Sequence, residues 1–113
     1  MNIFKYNKRI KNKLNINKED FEIYITLKEF NNEYKTNIED IDIKKLNLSE
    51  RKIGNEGLRD LVKIKFKKLN ILDLCHNKLE DISILEKVDF KELKVLNLNF
   101  NNIKDINIIQ SKF

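Results

Sequence analysis

The sequence predicts an α/β solenoid, in which short parallel strands alternate with helical turns along one coil. Three segments, beginning at residues 43, 69 and 93, read IKKLNLSERKI, LNILDLCHNKL and LKVLNLNFNNI. They carry apolar residues at four identical offsets and start 26 and then 24 residues apart. The 113-residue chain has only two glycines and no proline, a composition that disfavours hairpin-rich β folds.

Each segment changes its period from two to about three. In the LxL core, both leucines lie on one side of a short strand and the residue between them lies on the other. Apolar residues then recur in steps of three, as in a helix or 3₁₀ turn with one buried face. This second stripe contains Leu58, Leu61, Ile64 and Phe66, then Ile82, Leu85, Val88 and Phe90, then Ile106, Ile109 and Phe113. We expect parallel strand pairing between the units and one continuous leucine core.

The shared pattern is LxxLxLxxNxL, with asparagines at Asn77 and Asn101. It resembles the leucine-rich repeat family, whose repeats are about 20 to 29 residues long. The resemblance implies a right-handed coil with strands on the concave face and helical turns outside. Units 69–92 and 93–113 are similar to the protein-phosphatase-regulator type. Unit 43–68 is closer to the ribonuclease-inhibitor type.

The asparagines are interpreted as structural residues. Each ends a strand, where its short amide can satisfy backbone groups of the turn and of the next coil. The first unit departs from this pattern, because Arg51 takes the asparagine position and Gly54 and Gly57 bracket a turn into a helix.

Residues 15–42 are predicted to form an N-terminal cap helix and a linker. Asn17 can cap a helix over residues 18–35, with acidic residues in its first turn. Its expected apolar stripe consists of Phe21, Ile23, Tyr24, Leu27, Phe30 and Tyr34. The alternative is a strand over FEIYITL, which its β-branched and aromatic residues favour. Either structure would cover the first open edge of the array.

The C-terminal edge is expected to be open. Phe113 falls almost where a fourth LxxLxL segment would begin. Three repeats are about the minimum for stability. We therefore expect a marginal domain, or one whose edge is covered by a second copy of the chain, by a partner, or by further sequence.

The family resemblance implies that a partner protein binds the outward strand positions. These are Lys45, Asn47, Ser49 and Glu50 in the first unit, Ile71, Asp73, Cys75 and His76 in the second, and Val95, Asn97, Asn99 and Phe100 in the third. Ile71, Val95 and Phe100 would form a small apolar hot spot on this face. The competing interpretation is that these are ordinary exposed apolar residues without a role.

The sequence predicts a binding module and no enzyme. Asp73, Cys75 and His76 could in principle form a nucleophile system, but Cys75 and His76 are neighbours whose side chains point apart, and no oxyanion-hole motif accompanies them. One cysteine cannot form an internal disulfide, and one histidine beside it cannot complete a zinc site. We expect no catalytic residue, no metal and no cofactor.

The net charge of +5 lies in the first 14 residues, which are predicted to form a basic, flexible arm. Its cations are Lys5, Lys8, Arg9, Lys11 and Lys13. They allow an alternative function as an accessory nucleic-acid binder, with weak and salt-sensitive phosphate contacts. A solvated tail and a membrane-surface or targeting segment are the other interpretations, and nucleic acid is the less favoured partner overall. No apolar run reaches the length of a membrane span, so we expect an intracellular, cytoplasmic or nuclear protein.

Overall fold

The computed structural model describes residues 17–107. In chain order the elements are helix α1 (Lys18–Tyr34), strand β1 (Lys45–Asn47), helix α2 (Gly54–Val62), strand β2 (Ile71–Asp73), a 3₁₀ helix (Ser83–Lys87) and strand β3 (Val95–Asn97). The predicted arm over residues 1–14 and the apolar positions Ile109 and Phe113 lie outside the described residues.

Helix α1 confirms the prediction of a helix and excludes the alternative strand. The side-chain oxygen of Asn17 accepts a hydrogen bond from the backbone N–H of Asp20 at 2.8 Å, as the capping argument requires. Leu27 and Phe30 are buried in the core. Tyr34 closes the far end of the stripe, stacking at a tilt on Phe30 with ring centroids 4.6 Å apart.

The prediction that Tyr24 belongs to the buried stripe is wrong, because its side chain is 44% exposed. It follows Ile23 by one residue, and one residue is about 100° around an α-helix. Tyr24 therefore leaves the face that holds Leu27 and Phe30. The ammonium of Lys28 lies 5.5 Å from the centroid of its ring.

Tyr34 ties helix α1 to helix α2. Its hydroxyl donates a hydrogen bond to a carboxylate oxygen of Asp60 at 3.0 Å. Burial of the phenol, followed by this hydrogen bond and the negative charge of Asp60, raises the pKa of Tyr34. The tyrosine therefore stays a neutral donor at any pH at which the protein is handled.

The three strands form one parallel sheet in the order β1-β2-β3, so the expected parallel pairing is confirmed. The register places Leu46 opposite Leu72 and Leu72 opposite Leu96. Pairing continues past the strand ends, since the N–H of Leu48 donates to the carbonyl of Asp73 at 2.9 Å. The LxL pattern therefore sets both the strand positions and their register.

The leucine core is complete in the first two units and open at the third. Leu72 and Leu74 are 0% exposed, whereas their third-unit equivalents, Leu96 and Leu98, are only half-buried. Ile106 was expected in a buried stripe, but it is 52% exposed. Its exposure follows from its place, because β3 is the edge strand of the sheet within residues 17–107.

The sequence suggested that the two glycines bracket a turn, but both lie within helix α2. Helix α2 begins at Gly54, whose φ of 64° is left-handed and accessible to glycine without strain. Gly57 lies inside the helix, where it is buried against helix α1. A Cβ at this position would clash with Cγ2 of Ile53 and lie 3.0 Å from Cζ of Tyr34.

We predict that Gly57→Ala destabilises the protein by about 1–3 kcal/mol, the usual cost of overpacking. Helix propensity alone predicts the opposite sign, since alanine is favoured over glycine by roughly 1 kcal/mol. Urea unfolding of the single variant and of the variant in an Ile53→Ala background checks the cause. The cost should shrink when Cγ2 of Ile53 is removed, and an unchanged cost would show that this contact is not responsible.

Candidate protein-interaction face

The strand face is the side of the sheet opposite the leucine core. Strand register and the turn hydrogen bonds from Glu50 to Cys75 and from His76 to Asn99 align its residues in rows of three. The rows are Lys45, Ile71 and Val95; Asn47, Asp73 and Asn97; Ser49, Cys75 and Asn99; and Glu50, His76 and Phe100.

The second row supports the turns that follow the strands. A side-chain oxygen of Asn47 accepts from the N–H of Ser49 at 2.9 Å. Asp73 and Asn97 likewise accept from the N–H two residues further along the chain, each at 3.0 Å. One oxygen of each side chain is therefore engaged by its own backbone. Asn or Asp recurs at this offset in every unit, and this recurrence could have indicated the role from the sequence.

Each residue of the last row lies in the turn after its strand and has a left-handed backbone conformation. Glu50, His76 and Phe100 have φ values of 58°, 56° and 58°. Such values cost a residue with a Cβ roughly 1–2 kcal/mol, so the turn hydrogen bonds must hold them there. The conformation leaves the side chain of Phe100 74% exposed.

The apolar residues of the strand face form two pairs. Val95, 48% exposed, lies directly beside Ile71 in the first row. His76 and Phe100 stack in the last row, with ring centroids 4.4 Å apart and planes 4° from parallel. The two intervening rows are polar apart from Cys75, so the structure places two apolar contacts where the sequence suggested one.

Asn77 is fully buried and bonds four backbone groups. Its side-chain oxygen accepts from the N–H of Arg51 at 2.9 Å and of Ile53 at 3.3 Å. Its amide nitrogen donates to the carbonyls of Leu48 at 2.8 Å and Cys75 at 3.1 Å. Asn77 therefore joins its own turn to the first unit.

Asn101 makes the corresponding bonds one unit later. Its oxygen accepts from the N–H of Asn77 at 2.9 Å and of Leu79 at 3.0 Å. Its nitrogen donates to the carbonyls of Leu74 at 2.9 Å and Leu98 at 3.0 Å. The sequence interpretation gave the next coil as the partner, but both asparagines bond the preceding one, whose loop leaves these backbone groups unpaired.

Arg51 occupies the equivalent position in the first unit, which has no preceding unit to bond within residues 17–107. Its guanidinium donates to the carbonyl of Lys35, directly after helix α1, at 3.3 Å. Lys35 ends this helix in a left-handed conformation. The long side chain of an arginine therefore spans a distance that an asparagine would not.

Sequence reasoning missed two further asparagines. The amide of Asn31 bonds both the N–H and the carbonyl of Ile38 at 2.9 Å, which fixes the loop after helix α1. The oxygen of Asn55 accepts from the N–H groups of Glu80 and Asp81 at 3.0 and 3.1 Å. Neither belongs to the repeated pattern, and nothing in the sequence distinguishes them from the other asparagines among the 17 in the chain.

Cys75 lies in a setting that opposes thiolate formation. Burial raises the pKa of its thiol, and the negative charges of Asp73 and Glu50 raise it further. A nucleophilic cysteine needs the opposite shift. His76, its sequence neighbour, stacks on Phe100 instead.

We predict that iodoacetamide alkylates Cys75 more slowly at pH 8 than it alkylates a free cysteine. Asp73→Asn removes one negative charge but keeps the oxygen that accepts from the Cys75 N–H, so the pKa should fall and alkylation should accelerate. The pH profile of the rate measures both shifts. Asp42→Asn serves as the control, and an equal acceleration there would contradict the assigned cause.

Within residues 17–107 no helix is long and apolar enough to cross a membrane. The same residues include no group of three or more His, Cys, Asp or Glu placed to hold a metal ion. No protein-family model, curated protein or solved structure matches the chain.

Proposed function

We propose that this chain is a protein-interaction module of the leucine-rich repeat type, whose partner binds the strand face. In this proposal the three units form a short right-handed solenoid, and helix α1 caps its first edge. The parallel register of Leu46, Leu72 and Leu96 supports the architecture. The backbone bonds of Asn77 and Asn101 between successive units support it as well.

One observation carries the functional part of the proposal: large apolar side chains stand exposed on a hydrogen-bonded framework. Phe100 and Val95 are two of the four large hydrophobic residues that are exposed within residues 17–107. Both belong to the strand face. Fully burying an aromatic side chain of this kind contributes about 1.5–3 kcal/mol to association, and the ordered turn lowers the entropic cost of binding.

The paired arrangement also suggests how the partner is recognised. Ile71 with Val95 and His76 with Phe100 would be two anchors at opposite ends of the face. Between them, the unengaged oxygen of Asp73 and the side chain of Asn99 offer hydrogen-bonding groups. Exposed aromatic side chains of this kind are common anchors of protein-binding hot spots, and hydrogen bonds beside them fix the register of the partner.

Comparative affinity capture from source-cell lysate tests the proposal. The bait is the full chain, either unchanged or carrying Phe100→Ala with Ile71→Ser. The matched control carries Tyr24→Ala with Ile106→Ser, because these are the two exposed large hydrophobic residues away from the strand face within residues 17–107. We expect one or more proteins to be retained by the unchanged and control baits and lost from the strand-face variant.

The capture experiment can contradict the proposal in two ways. Equal retention by all three baits would place the interaction elsewhere on the chain. If the captured proteins were lost from both variants, the binding would be non-specific association with exposed apolar surface. Circular dichroism and thermal unfolding of each bait verify that a lost interaction does not come from a lost fold.

A further inference from the structure

Six exposed lysines lie at the end of the sheet where the strands begin, and one of them, Lys45, is the first residue of β1. They lie in the lead-in segments 42–45, 67–70 and 91–94, which backbone bonds hold side by side. The N–H of Asn70 donates to the carbonyl of Lys44 at 2.7 Å, and the N–H of Lys94 donates to the carbonyl of Asn70 at 2.8 Å. We call this set the lysine edge: Lys44, Lys45, Lys67, Lys68, Lys91 and Lys94.

The lysine edge is strongly positive over a short distance. Its three segments contain only two acidic residues, Asp42 and Glu92, against six lysines. Neighbouring strands lie about 4.8 Å apart, so the first and third segments are separated by roughly 10 Å. Residues 43–113 contain 15 basic and 10 acidic side chains, and six of these cations lie in the three segments.

Part of this charge is compensated locally. Lys91 lies 4.0 Å from a carboxylate oxygen of Asp89. Lys67 and Lys91 also line a shallow depression together with the acidic residues Glu19 and Asp20 of helix α1. By contrast, no ion pair within residues 17–107 involves Lys44, Lys68 or Lys94.

These three lysines come one from each lead-in segment. Their side chains are exposed and without a carboxylate partner in the described chain. Lys44 and Lys94 lie on either side of Asn70 in the register, and Lys68 lies two residues earlier in the middle segment. A cluster of such point charges neutralises phosphates and releases condensed counterions, which is the main source of sequence-independent affinity for nucleic acid.

We propose that the lysine edge binds the phosphate backbone of double-stranded nucleic acid without reading its bases. The apolar residues of the lead-in segments, Ile43, Leu69 and Leu93, are buried or half-buried. The segments therefore offer no exposed aromatic platform of the kind that binds single strands by stacking. They also offer no exposed apolar side chain to insert into a bilayer, which favours nucleic acid over a membrane surface.

This site is distinct from the strand face and from the predicted arm. It shares Lys45 alone with the strand face, whereas Lys44, Lys68 and Lys94 lie outside that face. It differs from the arm because it uses residues of the folded units. A variant that loses one of the three surfaces should therefore keep the others.

Fluorescence anisotropy with labelled duplexes tests the lysine edge. The probes are two DNA duplexes of equal length and unrelated sequence, titrated with the full chain between about 50 and 200 mM salt. The test variant carries Lys44→Gln, Lys68→Gln and Lys94→Gln. The control carries Lys28→Gln, Lys52→Gln and Lys104→Gln, which removes the same charge from other exposed surfaces.

We expect similar affinity for both duplexes and at least tenfold weaker binding by the test variant at the lower salt concentration. Its slope of log affinity against log salt should become shallower by about 0.9 for each phosphate that the variant no longer neutralises. The control should bind within about twofold of the unchanged chain. Phe100→Ala with Ile71→Ser should leave duplex binding unchanged.

Three outcomes would overturn the proposal. Equal weakening by both lysine variants would assign binding to net charge alone. If duplex binding is lost when residues 1–14 are deleted but is unchanged in the test variant, the arm is the binding site. Vesicles of anionic lipid that displace the duplex and lose affinity through the same three lysines would identify a membrane surface as the partner.

Discussion

Asn77→Leu is expected to destabilise the protein by about 3–5 kcal/mol, because several buried backbone groups lose their partners at about 1–3 kcal/mol each. Leucine is no smaller than asparagine, so the substitution leaves no large cavity. The N–H groups of Arg51 and Ile53 and the carbonyl of Leu48 would be left without the bonds that now join the first and second units. Urea unfolding at equilibrium measures the loss.

The same substitution at two other asparagines provides the comparison for this prediction. Asn101→Leu breaks equivalent bonds at a half-buried position, where water can replace part of them, so we expect a loss of about 1–3 kcal/mol. Asn102→Leu alters an exposed side chain and should change stability by less than about 0.5 kcal/mol. Equal effects at positions 77 and 102 would refute the role of Asn77 in joining the units.

Leu72→Ala has the other large expected effect, a loss of about 2–5 kcal/mol. Leu72 lies in the middle strand, pairs with Leu46 and Leu96 in the register and is fully buried. Truncating its side chain to a methyl group leaves a cavity that neighbours on both sides cannot fill. Thermal and urea unfolding should agree on the loss, with an unchanged dependence on urea concentration.

Leu96→Ala is the matched control for this prediction. The same truncation in β3 should cost clearly less than at position 72, because Leu96 is half-buried and already partly in contact with water. A loss at Leu96 as large as at Leu72 would mean that the outer side of the third unit is covered in solution. If the cover is a second copy of the chain, the protein should also run as a larger species in sedimentation.

The repeated features of the fold could be predicted from the sequence because they follow from local periodicity. The LxL pattern fixes which side chains face the core, and its recurrence fixes the register of Leu46, Leu72 and Leu96. Helix α1 was predictable from Asn17 and its acidic first turn. The direction of the asparagine bonds was not, since spacing is symmetrical between the preceding and following unit.

The features that sequence reasoning missed depend on contacts between distant segments. Gly57 is explained only by the approach of Tyr34 from helix α1 and by its contact with Ile53. A charge count over residues 15–113 does not reveal the lysine edge, because the excess of acidic residues in 15–42 balances the excess of basic residues in 43–113. The stack of His76 on Phe100 needs the register that brings residues 24 positions apart side by side.

Site-specific photo-crosslinking at Phe100 tests whether a partner protein contacts the strand face, as we propose. A photoreactive phenylalanine analogue replaces Phe100 in one bait and Tyr24 in the other, since both side chains are exposed aromatics. We expect a discrete covalent adduct with a second protein from position 100 and none from position 24. Adducts of the same pattern from both positions, or from position 24 alone, would contradict it.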